Sequence, residues 1–298
     1  KMLVSGPSKA GKSFLLLELC VAIAEGLEWL GWKCSQGRVL YVNLELDRAS
    51  CYHRVADVYH ALGIPPRNAD NLDMWHLRGK AMGMDNLAPR LIRRAIKRKY
   101  SAVVIDPIYK VITGDENAAD QMAKFCNQFD RVAAELGCAV IYCHHHSKGD
   151  QGQKRAQDRA SGSGVFARDP DALLDLIELE PTEALMKQEE NKAICKACTD
   201  YLDAHFKWEE DLSQDDLLSS AQMMSYCEAH LDRWQKIALD KQIVEAKAAV
   251  QAHTAWRIEG TLREFPKFEP VNMWFEYPVH CLDQIGVLKD LELEADKP

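Results

Sequence analysis

The chain has 298 residues, room for one large domain or two small ones, and its 47% apolar and 28% charged residues suit an ordinary globular protein with a sizeable core. Lys and Arg number 37 against 45 Asp and Glu, a net charge of −8, which argues against a surface given over to nucleic acid and leaves room for a local basic groove. No apolar run approaches the roughly 20 residues that span a bilayer, so no membrane role is expected.

The chain opens at Lys1-Met2 and enters an apolar strand, Met2–Ser5, with no secretory signal; it reads as the front-trimmed piece of a longer protein. The pattern then alternates. A helix over 12–25 precedes a strand Arg38–Asn43. A helix over 48–61 precedes a short strand Asn71–Leu77. A helix over 86–99 precedes a strand Ala102–Asp106. A helix over 117–136 precedes strands Ala139–Cys143 and Asp171–Leu179. Strands this apolar are buried on both faces, which predicts an α/β fold: a parallel sheet with helices outside. From 182 to 253 strand signals vanish, and Leu218, Ala221, Met224, Leu231, Trp234, Ala238 and Ala248 recur at helical spacing, predicting an insertion of one to three helices. Strand character returns over Ala255–Phe265 and Asn272–Tyr277. The expected domains are thus a core over 1–180, a helical insertion over 181–254, and C-terminal strands and tail over 255–298.

Ten cysteines without a secretory signal read as reduced thiols of the cytoplasm. The one close pair, Cys195 and Cys198, lacks a second pair at zinc spacing and reads as plain thiols on a helix.

Gly6-Pro7-Ser8-Lys9-Ala10-Gly11-Lys12-Ser13 fits the pattern G-x-x-x-x-G-K-S/T between a predicted strand and a predicted helix. Glycines let backbone N–H groups curl around phosphate oxygens, and the helix N-terminus adds positive potential. In such a loop Lys12 reaches the β- and γ-phosphates and the Ser13 hydroxyl ligates Mg²⁺. Asp106 ends the most apolar strand, where a magnesium-orienting carboxylate belongs. Glu45 follows the strand 38–44 and reads either as the carboxylate that polarises an attacking water or as a solvated acid.

His144, His145 and His146 follow the strand 139–143. A strand alternates faces, so adjacent side chains do not converge on one ion; one histidine at the strand tip, sensing a γ-phosphate, is the better reading. The next segment, 147–159, is polar, with Lys148, Lys154 and Arg155 as candidates for contacts to nucleic-acid phosphates, or else a solvated connector. The basic run from Arg90 to Lys99 is expected on a helix, as a solvated or subunit-facing surface.

These segments, in this order, resemble the RecA-like ATPases, and more closely the RepA-type hexameric replicative helicases of plasmids and mobile elements. The likeness rests on the loop 6–13, Glu45, Val104-Ile105-Asp106-Pro107, His144-His145-His146-Ser147-Lys148-Gly149 and Arg159-Ala160-Ser161-Gly162-Ser163. It implies a RecA-like P-loop core and an ATPase using ATP and Mg²⁺ in the bacterial cytoplasm. It further implies action on single-stranded DNA and assembly into a ring or filament. By the same likeness Glu45 is the catalytic glutamate, Asp106 the magnesium carboxylate and His145 the γ-phosphate sensor. Arg263, with Arg257 second, would be the finger of a late hairpin that reaches a neighbour's nucleotide. The stretch 182–253 is far longer than its counterpart in the plasmid helicases. That departure keeps open a rival reading, an ATP-dependent switch or loader that docks a partner without unwinding DNA. A small-molecule P-loop kinase is less in keeping, because no arginine-rich lid is evident.

Overall fold

The computed structural model describes residues 1–146, 168–205, 207–208 and 211–291. In chain order it holds β1 (Met2–Gly6), α1 (Lys12–Glu25), a two-stranded hairpin of β2 (Glu28–Trp29) and β3 (Trp32–Lys33), β4 (Arg38–Asn43) and α2 (Arg48–Ala61). Next come β5 (Leu72–His76), α3 (Met84–Ala95), β6 (Tyr100–Asp106), α4 (Ala119–Leu136), β7 (Ala139–His145) and β8 (Ala172–Leu179). Then follow α5 (Glu183–His205), α6 (Gln214–Leu217), α7 (Ser220–His230), α8 (Arg233–Gln251), β9 (Thr254–Leu262), β10 (Val271–Glu276) and β11 (Val279–Leu282).

The chain divides into two compact units, Lys1–Leu179 with Ala255–Gly286, and Glu180–Thr254 with Val287–Leu291. In the first, the described residues form a nine-stranded sheet in the order β11-β10-β9-β8-β1-β7-β6-β4-β5. The pairings from β8 through β5 are parallel, β9 runs antiparallel to β8, and β10 and β11 form an antiparallel hairpin. This is the α/β architecture of a RecA-like P-loop core.

Strand alternation builds a core on each face of the sheet. Leu40, Val42, Val103, Ile105, Val140 and Tyr142 meet Leu87 and Leu91 of α3 and Phe125 and Phe129 of α4. Val39, Tyr41, Val104 and Ile141 meet Leu15, Leu16 and Leu19 of α1 and Val58 of α2. Phe129 stacks on Tyr142 with centroids 4.4 Å apart. Because the strands run parallel, the ends of β1, β4, β6 and β7 open at one edge, where an α/β sheet binds its ligand.

Several elements depart from the sequence expectation. The helix expected over 86–99 spans Met84–Ala95, and Lys99 takes φ +50°, so Lys97, Arg98 and Lys99 lie beyond it. The β2–β3 hairpin and β11 have strands of two to four residues, too short for a periodic signal, whereas β10 matches the strand expected over Asn272–Tyr277 to within one residue. The strand expected over Ala255–Phe265 stops at Leu262, leaving Arg263 just past it.

The second unit holds four helices among the described residues rather than one to three. Its core gathers Ile194, Cys195, Cys198, Leu202, Met223, Cys227, Leu231, Leu239 and Ile243. The apolar stripe read from sequence is only partly the buried one: Leu231 joins the core, but Leu218, Met224 and Trp234 are exposed, while Met223 and Cys227, one turn apart on α7, turn inward.

The β10–β11 hairpin is tied to α1 by a buried pair of hydrogen-bonding groups, Glu18 and His280. Glu18 accepts from the His280 backbone N–H at 3.1 Å and lies 2.7 Å from its Nδ1. Replacing Glu18 with Ala strands a buried imidazole, and such a loss costs on the order of 1–3 kcal/mol. Urea unfolding of Glu18→Ala should show a loss of that size, and an unchanged midpoint would contradict the assignment.

Candidate active site

At the end of β1 the chain leaves the sheet and curls. Lys9 and Gly11 both take left-handed backbone, at φ +66° and +72°, before α1 begins at Lys12. Alternation of right- and left-handed residues turns successive N–H groups into one concavity, an anion nest. Gly11 is required twice: by its φ, and because an added Cβ would lie 3.3 Å from His280 Nε2.

Lys12 is buried and folds back into the curl. Its ammonium donates to the carbonyls of Gly6 (2.8 Å) and Pro7 (2.6 Å) and to His145 Nδ1 (3.2 Å). All three donors are thereby used. Burial pulls its pKa below the ordinary lysine value, a shift opposed by the carboxylates of Asp106 and Glu45.

The acids come from the strands on the β7 side of β1. Asp106 ends β6, buried, with Tyr41 O–H donating to one oxygen and Cys143 Sγ 2.8 Å from the other. Burial first, then the adjacent carboxylate, pushes the Tyr41 and Cys143 pKa values up, so both keep their protons and donate. Glu45 is exposed and accepts from Tyr109 O–H at 3.1 Å. Its turn is set by Asn43, whose Oδ1 receives the N–H groups of Glu45 (3.2 Å) and Leu46 (2.9 Å).

These groups surround a cleft of about 580 Å³ lined by Ser8, Lys9, Ala10, Gly11, Lys12 and Ser13 together with Glu45, Asp106 and His145. Gly6 forms its root at the end of β1. Asn43, Arg54, Tyr109, Cys143 and Phe275 also line it, and no sequence motif marked them. Arg54 lies 4.7 Å over the Phe14 ring.

The three adjacent histidines part as strand alternation requires. His145 faces the cleft. Because Nδ1 accepts from Lys12, its proton sits on Nε2, ready to donate to a phosphoryl oxygen. His144 turns inward, 3.5 Å from Glu116. His146 Nε2 lies 2.6 Å from Asp175, which also receives Ser5 O–H at 2.5 Å.

Arg263 lies elsewhere. Leu262 pairs with Ala172, which pairs with Met2, so Arg263 is at the opposite end of the sheet from its own loop. There it meets Asp171 at 2.6 Å and the carbonyls of Arg168 and Asp169. Arg257 bonds Asn272 at 2.8 Å on β9. Lys148, Lys154, Arg155 and the segment 159–163 lie outside the described residues.

No three His, Cys, Asp or Glu among the described residues converge as a metal site. The residues present fit Mg²⁺, which is held by one or two protein oxygens plus phosphates and water. Ser13, half-buried in the first turn of α1, supplies a hydroxyl, and Asp106 a buried carboxylate.

The family model described as an AAA domain matches residues 2–151, half of the chain. The chain belongs to this family. It is therefore an AAA/RecA-like P-loop ATPase, and the match covers the loop, Glu45, Asp106 and His145. No described helix is long and apolar enough to cross a membrane.

Burial, then His145 and Lys12, lowers the His144 pKa to about 4, and burial and Lys12 also lower His145. An unfolded histidine titrates near 6.5 and binds protons there that the folded form refuses. This stability is full above about 6.5 and is lost as pH falls toward about 4. The urea midpoint should drop from pH 7 to pH 5, and drop less in His144→Asn; an equal drop in both would contradict the assignment.

Proposed function

We propose that this AAA-domain protein hydrolyses ATP as a RecA-like motor of the RepA-helicase kind, acting on single-stranded DNA. What supports the reading is the meeting of Lys12, Glu45, Asp106 and His145 around one phosphate loop. Bound triphosphate offers Lys12 stronger acceptors than the Gly6 and Pro7 carbonyls, so the ammonium swings onto the β- and γ-phosphates. The Ser13 hydroxyl and the Asp106 carboxylate would hold Mg²⁺, which would supply charge neutralisation for phosphoryl transfer. Glu45, steadied by Tyr109, orients water for in-line attack on the γ-phosphorus. The His145 Nε2–H donates to a γ-oxygen and registers its departure.

Arg263 completes the site in trans in this reading. It lies too far round the sheet to serve its own loop, so this reading has it meet a neighbour's nucleotide, in a ring (hexameric in RepA-type helicases) or a filament. Its ion pair with Asp171 must open for that. Lys148, Lys154 and Arg155 are proposed to grip the strand.

One observation favours the loader reading instead. Trp234, Ile237 and Val244 leave an apolar face of α8 exposed, as a docking helix would. ATP turnover with and without single-stranded DNA, beside strand displacement on a forked duplex, separates the two. Stimulation with displacement fits the motor, stimulation without displacement fits the loader, and indifference to DNA removes both.

Lys12→Ala should abolish turnover. Glu45→Gln should keep nucleotide binding and lose about 10²-fold or more in kcat, the contribution of a general base. Full turnover in Glu45→Gln would overturn its role.

A further inference from the structure

A second cleft, of about 440 Å³, lies between β5 and α3. Lys80, Arg90, Arg93 and Arg94 line it, with Trp75 and His76, and no carboxylate does. Arg38 and Arg98 nearby share the single carboxylate of Asp73, but none of these four cations has an ion pair among the described residues. On α3, Arg90, Arg93 and Arg94 stand at i, i+3 and i+4, where like charges repel. The helix dipole favours Arg93 and Arg94 in the last turn, but not Arg90 or Lys80. Arg94 lies 4.9 Å over the Trp75 ring, and Lys80, Arg90 and Arg93 remain as exposed cations around one concavity in a chain of net charge −8, a local field that favours an anion.

His76 adds a donor of defined direction. The Asn43 amide is fixed, because its Oδ1 accepts two backbone N–H groups and its Nδ2 donates to Leu46 O at 2.8 Å. That Nδ2 lies 3.1 Å from His76 Nδ1, so Nδ1 accepts and the His76 proton sits on Nε2. Burial and Arg48 lower the His76 pKa, which agrees with a neutral ring. The Nε2–H is buried and finds no acceptor among the described residues. The cleft thus offers ammonium and guanidinium donors and no acidic acceptor, with the buried, unpaired His76 Nε2–H on a residue of its lining. A phosphate group, with several acceptor oxygens and a negative charge, is the complementary ligand, and guanidinium forks match its geometry.

We propose that this cleft binds a phosphate group, carried by a small molecule or by a nucleic-acid strand, and that His76 and Asn43 relay its presence to Glu45. Drawing His76 toward an anion pulls on the Asn43 amide, and Asn43 shapes the turn that aims Glu45. His76 and Asn43 are positioning residues in this scheme. The strand version rests on the single-stranded DNA reading above; the small-molecule version does not.

The test fills the phosphate loop with a non-hydrolysable ATP analogue, then titrates a twenty-nucleotide oligo(dT) and, separately, pyrophosphate. Lys80→Ala/Arg90→Ala/Arg93→Ala should weaken whichever probe binds at least tenfold. For oligo(dT), the slope of log K against log salt should also shrink by about 2, for three lost contacts to a single strand. Binding of pyrophosphate alone, weakened by the triple variant, sustains the cleft and removes the DNA reading. Wild-type affinity and slope in the triple variant, or no binding of either probe to the unaltered protein, would overturn the proposal. His76→Ala should weaken anion binding less than the triple variant does, yet at saturating anion lose the stimulation of kcat in a separate assay with ATP. Undiminished stimulation would overturn the relay.

Discussion

A lysine ammonium folded inside a curl of backbone is the interaction on which the site depends. Lys12 sits among the Gly6 and Pro7 carbonyls and His145, with its three donors engaged. Burial works against the charge, while Asp106 and Glu45 hold it in place. The curl exists because Lys9 and Gly11 accept left-handed backbone, and because no side chain stands between Gly11 and His280. An anion entering this concavity finds N–H groups already aimed, so little reorganisation is needed on binding.

The order of strands assigns chemistry to the two sides of that curl. On one side β7, β6 and the turn after β4 bring His145, Asp106 and Glu45. On the other, the β10–β11 hairpin brings Phe275 and is pinned to α1 through Glu18 and His280. A carboxylate as buried as Asp106 is tolerable because Tyr41 and Cys143 donate to it, and it in turn keeps both protonated. The acids are therefore rigid on the β6 side and adjustable at Glu45, whose exposed side chain relies on Tyr109 and on the Asn43 turn. Adjustability at Glu45 is what makes a relay from the basic cleft physically reasonable.

Much of this was legible because it is local in sequence. The loop 6–13 is a contiguous motif, Asp106 ends an unmistakably apolar strand, and alternation alone separates His144, His145 and His146. Glu45 needed the family likeness, since an acid at a strand end has many uses. What could not be read depends on segments brought together by the fold. Phe275 and His280 reach the loop from the far end of the chain, and His76 meets Asn43 only because β5 pairs with β4 in register. Tyr109 follows Asp106 by three residues, but its bond to Glu45 crosses between strands. The helical unit misled for a different reason: Leu218, Met224 and Trp234 have helical spacing but lie on the exposed side, and periodicity cannot say which face a partner helix covers. The basic run Arg90–Lys99 is expected to lie on a helix throughout, yet the chain leaves the helix after Ala95 and Arg98 turns to Asp73.

The claim most exposed to direct test is that a triphosphate replaces backbone carbonyls as the partner of Lys12. A crystal structure with Mg²⁺ and a non-hydrolysable ATP analogue decides it. The account predicts the β- and γ-phosphates inside the curl between Gly6 and Ser13, Lys12 Nζ moved off the Gly6 and Pro7 carbonyls onto them, and Glu45 facing the γ-phosphorus. An analogue bound elsewhere, with Lys12 still on those carbonyls, would contradict it.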